Sequence, residues 1–354
     1  MKKVNVAIVG IGVVGREILR LLIKRGFPYN NLRIFARSSR RVDIDGKEWE
    51  VEEISAEKFE GVDIALFAGT EGEKGASVLY APEAIRRGCI VIDNGSDFRL
   101  KEGVPLVVPE INIHTLKDHK GLIANPNCST IQMVLSIYPI YKEYGIERII
   151  VSTYQSASGA GRGAQEELLS QTQKILSSIN EKKIDTLHKD FLKSLFVSTL
   201  PKFLPHQISF NCIPQIGSFT EEGFTTEEWK MVRETHKILE DNSIKISATC
   251  VRVPVFRSHC EAIYLETKKE FDIEKIKNIL ANFKGVILED EPQNSKYPLP
   301  LVCANREEVF VGRIRKDPFN PRGLWIWSVS DNIWKGAALN AIQIAEKLLE
   351  LNYK

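Results

Sequence analysis

The strongest constraint on the fold lies at the start of the chain. Val4-Asn5-Val6-Ala7-Ile8-Val9 is an apolar, β-rich run that ends at Gly10-Ile11-Gly12-Val13-Val14-Gly15. From Arg16 to Lys24, Ile18, Leu21 and Leu22 then recur at helical spacing. A strand, a glycine turn and a helix in that order form a nucleotide-binding unit: the glycines allow a tight turn and let a pyrophosphate approach the helix N-terminus. Gly10, Gly12, Val13, Val14 and Gly15 are therefore candidate cofactor contacts. The plain alternative is a glycine turn that serves only packing.

The pattern repeats. Leu32-Arg33-Ile34-Phe35-Ala36, Asp63 to Gly69 and Cys89 to Asp93 read as further strands, with a helix between the last two from about Gly75 to Arg87. Alternating strands and helices predict a doubly wound parallel sheet with right-handed crossovers. After Cys128 the texture changes. A helix is predicted from about Ser129 to Tyr144, a strand from Arg148 to Tyr154, and a glycine-rich loop at Ser158-Gly159-Ala160-Gly161-Arg162-Gly163 before a helix near Ala164. Residues 177–205 are polar and weakly patterned and are expected to form a lid or an inter-subunit arm. Ile246 to Lys268 and Val309 to Val329 read as strands. The last helix, Lys335 to Leu351, carries Ala338, Ile342, Ala345 and Leu349 on one stripe.

The segment after the second strand bears on cofactor choice. A site selective for NAD usually places an acidic residue there to hold the ribose 2′-hydroxyl. This chain has Ala36-Arg37-Ser38-Ser39-Arg40-Arg41. Arginines and hydroxyls suit a 2′-phosphate, so Arg37, Ser38 and Ser39 point to NADP(H). A solvated basic loop is the alternative.

The tightest chemical clue is Asn125-Pro126-Asn127-Cys128-Ser129-Thr130, a sharp turn that sets a thiol at a helix start. Unpaired N–H groups there favour a thiolate, so Cys128 is a candidate nucleophile, or else an ordinary buried cysteine. A cysteine beside a nicotinamide suggests acyl chemistry: the thiolate takes an acyl group and hydride reduces the thioester. Such a site needs a group to handle protons and anchors for substrate charge. His259, among six histidines in the chain, lies in Arg252-Val253-Pro254-Val255-Phe256-Arg257-Ser258-His259. Taken alone it reads more readily as a satisfied structural histidine than as a catalyst. Arg252 and His259 are seven apart, which on one regular strand puts them on opposite faces. They can share a site only if the strand breaks, at Pro254 or at Arg257-Ser258.

These motifs, with several others in order, carry a family resemblance over nearly the whole length. They include Ser96-Asp97-Phe98-Arg99, Val108-Pro109-Glu110-Ile111-Asn112, Ser152 through Gly161, Phe210-Asn211-Cys212-Ile213-Pro214, Thr226-Glu227-Glu228-Trp229-Lys230-Met231 and Asp331-Asn332-Ile333-Trp334-Lys335-Gly336-Ala337-Ala338. The chain resembles the bacterial aspartate-semialdehyde dehydrogenases. The resemblance implies that Cys128 accepts the acyl group, Gln155 orients the intermediate and His259 is the general acid/base. It implies that Arg252 grips the substrate α-carboxylate, Glu227 its amino group, and Arg99 and Lys230 its phosphate with Asn127 nearby. Ser158, Gly159, Gly161 and Asn332 join the cofactor set. It further implies a Rossmann-type domain over 1–129, completed by the C-terminal helix within 332–354, an α+β catalytic and dimerisation domain over 130–331, and a homodimer or homotetramer. Glu227 and Lys230, three apart, would share a helix face, although a surface salt bridge is the commoner meaning of that spacing. The first glycine loop is one residue shorter than the family's usual Gly-Ala-Thr-Gly-Ala-Val-Gly. Glu71 and Glu73 are more acidic than expected beside a phosphate-rich ligand.

The expected reaction is NADPH-dependent reductive dephosphorylation of L-aspartyl-4-phosphate to aspartate semialdehyde and phosphate, towards lysine, threonine and methionine. The rivals are N-acetyl-glutamyl-phosphate reductase, an acyl-CoA reductase, and a non-catalytic sensor that would have no need of Cys128 and His259. In the first rival the substrate nitrogen is neutral and leaves Glu227 without a cation. Composition narrows the rest. The 48 basic and 46 acidic residues offer no electrostatic case for nucleic acid or an anionic membrane. Six cysteines without a C-x-x-C pair argue against a zinc site. No apolar stretch approaches a membrane span, and the N-terminus shows no cleavable signal, so a cytoplasmic location with reduced thiols is expected.

Overall fold

The computed structural model describes residues 3–179, 189–196 and 201–352. The segments expected to form a lid or arm fall partly outside them, at 180–188 and 197–200. Two sheets organise the chain. The first contains β1 (Val4–Val9), β2 (Tyr29–Ala36), β3 (Arg40–Ile44), β4 (Lys47–Glu53), β5 (Ile64–Phe67), β6 (Ile90–Asp93) and β7 (Leu122–Ala124). Their order is β3-β4-β2-β1-β5-β6-β7, and all neighbours are parallel except the β3–β4 hairpin. The chain leaves β1 for β2 on one side and returns to β5 on the other, the switch point at which such sheets bind nucleotides. Helices α1 (Val13–Lys24) and α2 (Ala76–Arg86) cross over between strands, followed by the single turn α3 (Pro109–Asn112).

The hairpin was not anticipated. Its strands are polar and exposed, so their alternation is weak, and they take in part of the basic run. Arg40 and Arg41 lie in β3, where Arg41 stands 3.6 Å from both Glu48 and Glu50 on β4. Only Arg37, Ser38 and Ser39 of the basic run remain in the loop after β2.

Helix α4 (Cys128–Tyr144) joins the two halves and packs against the second sheet. One apolar cluster runs from Phe67 and Val91 through Ile131, Val134 and Leu135 to Val151 and Ile263. Burying side chains of this kind stabilises by about 1.5–3 kcal/mol each, which fixes the helix in place. Beyond it come β8 (Ile146–Gln155), α5 (Arg162–Ser178), α6 (Lys189–Ser194), α7 (Thr226–Leu239), β9 (Lys245–Arg252) and β10 (His259–Thr267). Then follow α8 (Ile273–Ala281), β11 (Val286–Leu288), α9 (Pro300–Cys303), β12 (Val309–Lys316) and β13 (Gly323–Ser330). The second sheet has the order β11-β12-β13-β10-β8-β9.

The last helix is shorter than expected. A π-helical turn occupies Trp334–Ala338, and α10 runs over Leu339–Leu351. Ala338, Ile342 and Ala345 are buried in a cluster with Val6, Ile8, Ile18 and Leu22, and Leu349 packs at its edge. The C-terminal helix thus seals the first sheet rather than the second.

Candidate active site

The parallel strands deliver the site from their carboxyl ends. Gly10 follows β1, Arg37 follows β2, Thr70 lies beyond β5, Arg99 beyond β6, and Cys128 beyond β7. Gly10 takes φ +93°, and a side chain there would collide with the Ala68 carbonyl. Gly15 packs so closely on Gly10 that a Cβ would overlap its carbonyl oxygen. Gly12 differs: nothing lies within 4 Å of a Cβ placed there. As N-cap of α1 it offers no side chain to the helix N–H groups, and the first turn carries no acidic residue. The helix N–H groups at this turn are therefore accessible to an anion. Arg37 donates from Nη2 to Thr70 Oγ1 at 3.0 Å, which keeps its guanidinium beside this end of the sheet. Ser39 Oγ accepts from the Glu53 N–H at 2.9 Å.

Cys128 opens α4. The Asn127 side chain caps the helix, accepting from the Ser129 and Thr130 N–H groups at 2.9 and 3.2 Å. A Cβ on Gly336 would come within 2.7 Å of Cys128 Cβ, so the π-helical turn presses directly on the nucleophile candidate. One expectation fails here. The helix terminus was expected to favour a thiolate, yet the Cys128 thiol is pushed up to about 12. Burial is the main cause and Glu227 adds to it, outweighing Arg252, Arg99 and the Ser129 N–H.

Second-sheet register supplies the facing wall. Arg252 on β9 pairs with Gln155 on β8, and His259 on β10 pairs with Ser330 on β13. Cys260 opposes Tyr154, so His259 stands one step beyond, level with Gln155. Arg252, Gln155 and His259 thus form one row across three strands. The parity objection dissolves because Arg252 ends one strand and His259 begins another, on either side of β8. The loop between them passes over the end of β8, with Val253 N–H on Gln155 O and Ala157 N–H on Val255 O. Ser258 completes the turn at φ +74°, its N–H held by Asn332 Oδ1 at 3.0 Å.

Glu227, on the first turn of α7, ties the halves together. Its Oε1 accepts from Asn127 Nδ2 at 2.9 Å and from Gln155 Nε2 at 3.3 Å. Lys230 lies 3.7 Å from its Oε2. The pair is an ion pair, but one whose carboxylate is 6 % exposed and committed to two other site residues. Arg252 donates from Nη1 to Ser156 O at 2.8 Å, while its buried Nε has no protein partner. Burial lowers the Arg252 pKa, with Glu227 opposing.

Three site residues went unassigned in the sequence. Glu234 is buried, pairs with Arg99 Nη1 at 3.1 Å and accepts the Asn127 N–H at 2.6 Å. It lies seven residues after Glu227, on the same stripe as Lys230, and extending that spacing by one turn reveals it. Ser156 and Gly336 sat within quoted motifs without a role. Asn332 Oδ1 receives Ser156 Oγ, Ser158 Oγ and the Ser258 N–H, while its buried Nδ2 has no protein partner. A fixed, unpaired amide donor of this kind fits the carboxamide of a nicotinamide. Glu71, acidic beside the cradle, accepts from Ser96 N and Oγ. Among the described residues no cluster of three metal-ligating side chains occurs.

Two family models match this architecture: semialdehyde dehydrogenase, NAD binding domain, over residues 5–119, and semialdehyde dehydrogenase, dimerisation domain, over 137–335. Aspartate-semialdehyde dehydrogenase of Aquifex aeolicus is 48 % identical over 353 residues, covering 98 % of both chains. The chain belongs to the aspartate-semialdehyde dehydrogenase family. The Bacillus subtilis aspartate-semialdehyde dehydrogenase is 45 % identical over 362 residues, again covering 98 % of each. The crystal structure of aspartate semialdehyde dehydrogenase II of Vibrio cholerae, complexed with ASA, superposes with a TM-score of 0.87 at 41 % identity, covering 99 % of both. The family's two-domain build accounts for a nucleophile on one sheet's edge and a polar row on the other.

Proposed function

We propose that the protein reduces L-aspartyl-4-phosphate with NADPH to L-aspartate 4-semialdehyde and phosphate, reversibly, through a thioester on Cys128. The observation that carries this is the polar row Arg252–Gln155–His259 facing the Cys128 turn, with Glu227 joining Asn127 to Gln155. Each polar end of the substrate has a partner of opposite charge. Arg252, with a free Nε in a buried fork, takes the α-carboxylate. Glu227 takes the ammonium, and this favours a free amine over an N-acyl substrate. Arg99 and Lys230 receive the phosphate, with Asn127 between them and the nucleophile. Gln155 orients the acyl group and His259 faces its oxygen.

The cofactor cradle consists of Gly10, Gly12, Val13, Val14 and Gly15 for the pyrophosphate, and Arg37, Ser38 and Ser39 for a 2′-phosphate. Ser158, Gly159, Gly161 and Asn332 hold the nicotinamide end. The bound cofactor supplies hydride; the chain's own residues orient the acyl carbon towards it and exclude water. Residues 1–129 with the C-terminal helix form the cofactor domain, and 130–331 the catalytic and dimerising domain of a homodimer or homotetramer. Among the described residues no helix is long and apolar enough to cross a membrane, and the six cysteines are free thiols. The reaction places the enzyme in amino-acid biosynthesis, in the cytoplasm.

The test is phosphate-dependent NADP reduction with aspartate semialdehyde, run beside the N-acetyl-glutamate semialdehyde analogue and with both nicotinamide cofactors. Activity with aspartate semialdehyde that vanishes in Cys128→Ser is expected. Turnover of only the N-acetylated aldehyde, or activity surviving Cys128→Ser, overturns the reading.

A further inference from the structure

The C-terminal half of α1 borders a cavity that no step of the reaction uses. Its volume is about 410 Å³, at the lower end of the range for small-molecule sites. Leu19, Ile23 and Lys24 of α1 form one wall, Lys47 and Trp49 of the β3–β4 hairpin form the other, and Trp334 closes it. About 18 Å of helix separates Lys24 from the Gly12 turn, so the cavity is distinct from the pyrophosphate end of α1.

The walls are fixed before any ligand arrives. Arg20 donates from Nε and Nη2 to the two carboxylate oxygens of Asp45 at 2.8 and 2.7 Å, and from Nη1 to Glu17 Oε1 at 2.7 Å. This fork ties the hairpin tip to α1 and uses up the Arg20 guanidinium. Arg20 and Asp45 cancel in charge, and two ammonium groups remain. Lys24 Nζ lies 4.4 Å from the centre of the Trp334 ring, and Lys47 Nζ lies 4.2 Å from that of Trp49. Among the described residues no carboxylate pairs with either. Lys24 also suits the last turn of α1, where the helix dipole favours a cation, but Lys47 on the hairpin has no such role. Apolar walls call for a flat apolar body, and two unpaired ammonium groups on tryptophan faces call for a negative group.

We propose that this cavity is a second ligand site, which takes a small aromatic carboxylate and transmits its occupancy to the Cys128 turn. The ring lies against Trp49 and Ile23, and the carboxylate lies at Lys24 and Lys47. A one- or two-ring acid suits this volume better than a dinucleotide does. Trp334 is the link. Its Nε1–H donates to Glu17 Oε2 at 2.6 Å, and its backbone N–H is held by Asp331 Oδ1 at 2.9 Å. It opens the π-helical turn Trp334–Ala338, and two residues on, Gly336 packs so closely that a Cβ there would stand 2.7 Å from Cys128 Cβ. A ligand that draws the Lys24 ammonium off the Trp334 ring shifts the indole, and the turn has no slack on its Cys128 side. The site goes beyond the reductase reading and does not depend on it.

The experiment uses the full-length enzyme labelled with 5-fluorotryptophan, indole-3-acetate as the probe and 19F NMR as the readout. The chain has five tryptophans: Trp49 and Trp334 line the cavity, and Trp229, Trp325 and Trp327 serve as internal controls. Trp49→Phe and Trp334→Phe assign the two signals. Indole-3-acetate is expected to shift both saturably, with Kd on the order of 1 mM or below, the scale for a ligand of this size. Saturating NADPH should not displace it. Replacing the probe by the uncharged indole-3-acetamide, or the enzyme by Lys24→Gln/Lys47→Gln, should weaken binding about tenfold or more, while the double variant keeps the wild-type KM for NADPH. At saturation the rate of Cys128 alkylation should change about fivefold or more in wild type and stay constant in the double variant. Shifts at Trp49 and Trp334 that do not saturate, equal shifts of all five tryptophans, equal affinity for acid and amide, or displacement by NADPH overturns the site. An unchanged alkylation rate overturns its link to Cys128. Every arm is read without aspartate semialdehyde, so failure here is distinct from failure of the aspartyl-phosphate assignment.

Discussion

Replacing Gly159 by alanine would separate the integrity of the site from the stability of the fold. Gly159 lies in the short turn Ala157–Ala160, and its φ is outside the left-handed region, so alanine meets no backbone strain. Its Cβ would nevertheless stand 2.8 Å from Arg252 Nη1 and 3.1 Å from both Cε1 and Nε2 of His259. Contacts between heavy atoms settle near 3.5–4.0 Å, so each tip must retreat by about 0.5–1 Å. Neither can move freely: Arg252 Nη1 is held by Ser156 O and His259 Nδ1 by Ser156 N–H. A misplacement of about 1 Å in a reacting constellation costs on the order of 100-fold, or about 2.7 kcal/mol of barrier. Meanwhile an unstrained Gly→Ala change stabilises by about 0.4–1 kcal/mol through the unfolded chain. Overpacking the two tips costs about 1–3 kcal/mol, which this gain offsets in part, so the expected variant stays folded with at most a modest drop in Tm, while kcat/KM for aspartate semialdehyde falls about 100-fold and its KM rises. Steady-state kinetics beside a thermal melt decides. Near-wild-type kcat/KM, or activity lost only together with the fold, would refute the assignment of Arg252 and His259 to one substrate volume.

Three further outcomes follow from other parts of the site. Glu234→Ala strands Arg99 and the Asn127 N–H in the interior, so denaturant unfolding should show a loss of about 3–5 kcal/mol, and the phosphate KM should rise; a loss below about 1 kcal/mol would show that the pair is dispensable. Glu261 is buried with both carboxylate oxygens unpartnered, and burial raises its pKa well above 4.5. Its folded pKa exceeds its unfolded one, so wild-type stability falls as pH rises through that interval. Glu261→Gln should match wild type in Tm near the unfolded carboxyl pKa and exceed it increasingly towards about pH 8, and a constant difference would contradict a buried neutral acid. Arg37→Ala should raise the NADPH KM about tenfold or more while leaving that for NADH unchanged, as expected for one charge-assisted phosphate contact of about 1.5–3 kcal/mol; an unchanged ratio removes Arg37 from the 2′-phosphate site.

Much of the first half was legible because its signals are local. A glycine turn between a strand and a helix, and apolar runs alternating with helical stripes, are consequences of backbone sterics and burial, and β1 occupies the residues those signals marked. The β3–β4 hairpin escaped because exposed polar strands carry little periodicity. Arg40 and Arg41 fall in β3, a placement that depends on partners in β4 and carries no local signal.

The site divides along the same line. The sequence by itself determined which groups were present: a thiol at a helix start, a glycine cradle, a basic loop, and on α7 a carboxylate and an ammonium three residues apart. Only the tertiary structure decided how they act. Arg252 and His259 meet because the chain crosses over β8 between them, a change of strand that spacing cannot report. The Cys128 thiol is raised rather than lowered because burial and Glu227, a hundred residues away, outweigh the helix terminus. The His259 ring is held at Nδ1 by the Ser156 peptide N–H, from the end of a different strand. Desolvation and hydrogen bonding depend on what surrounds a group in space, and the folded chain alone specifies those surroundings.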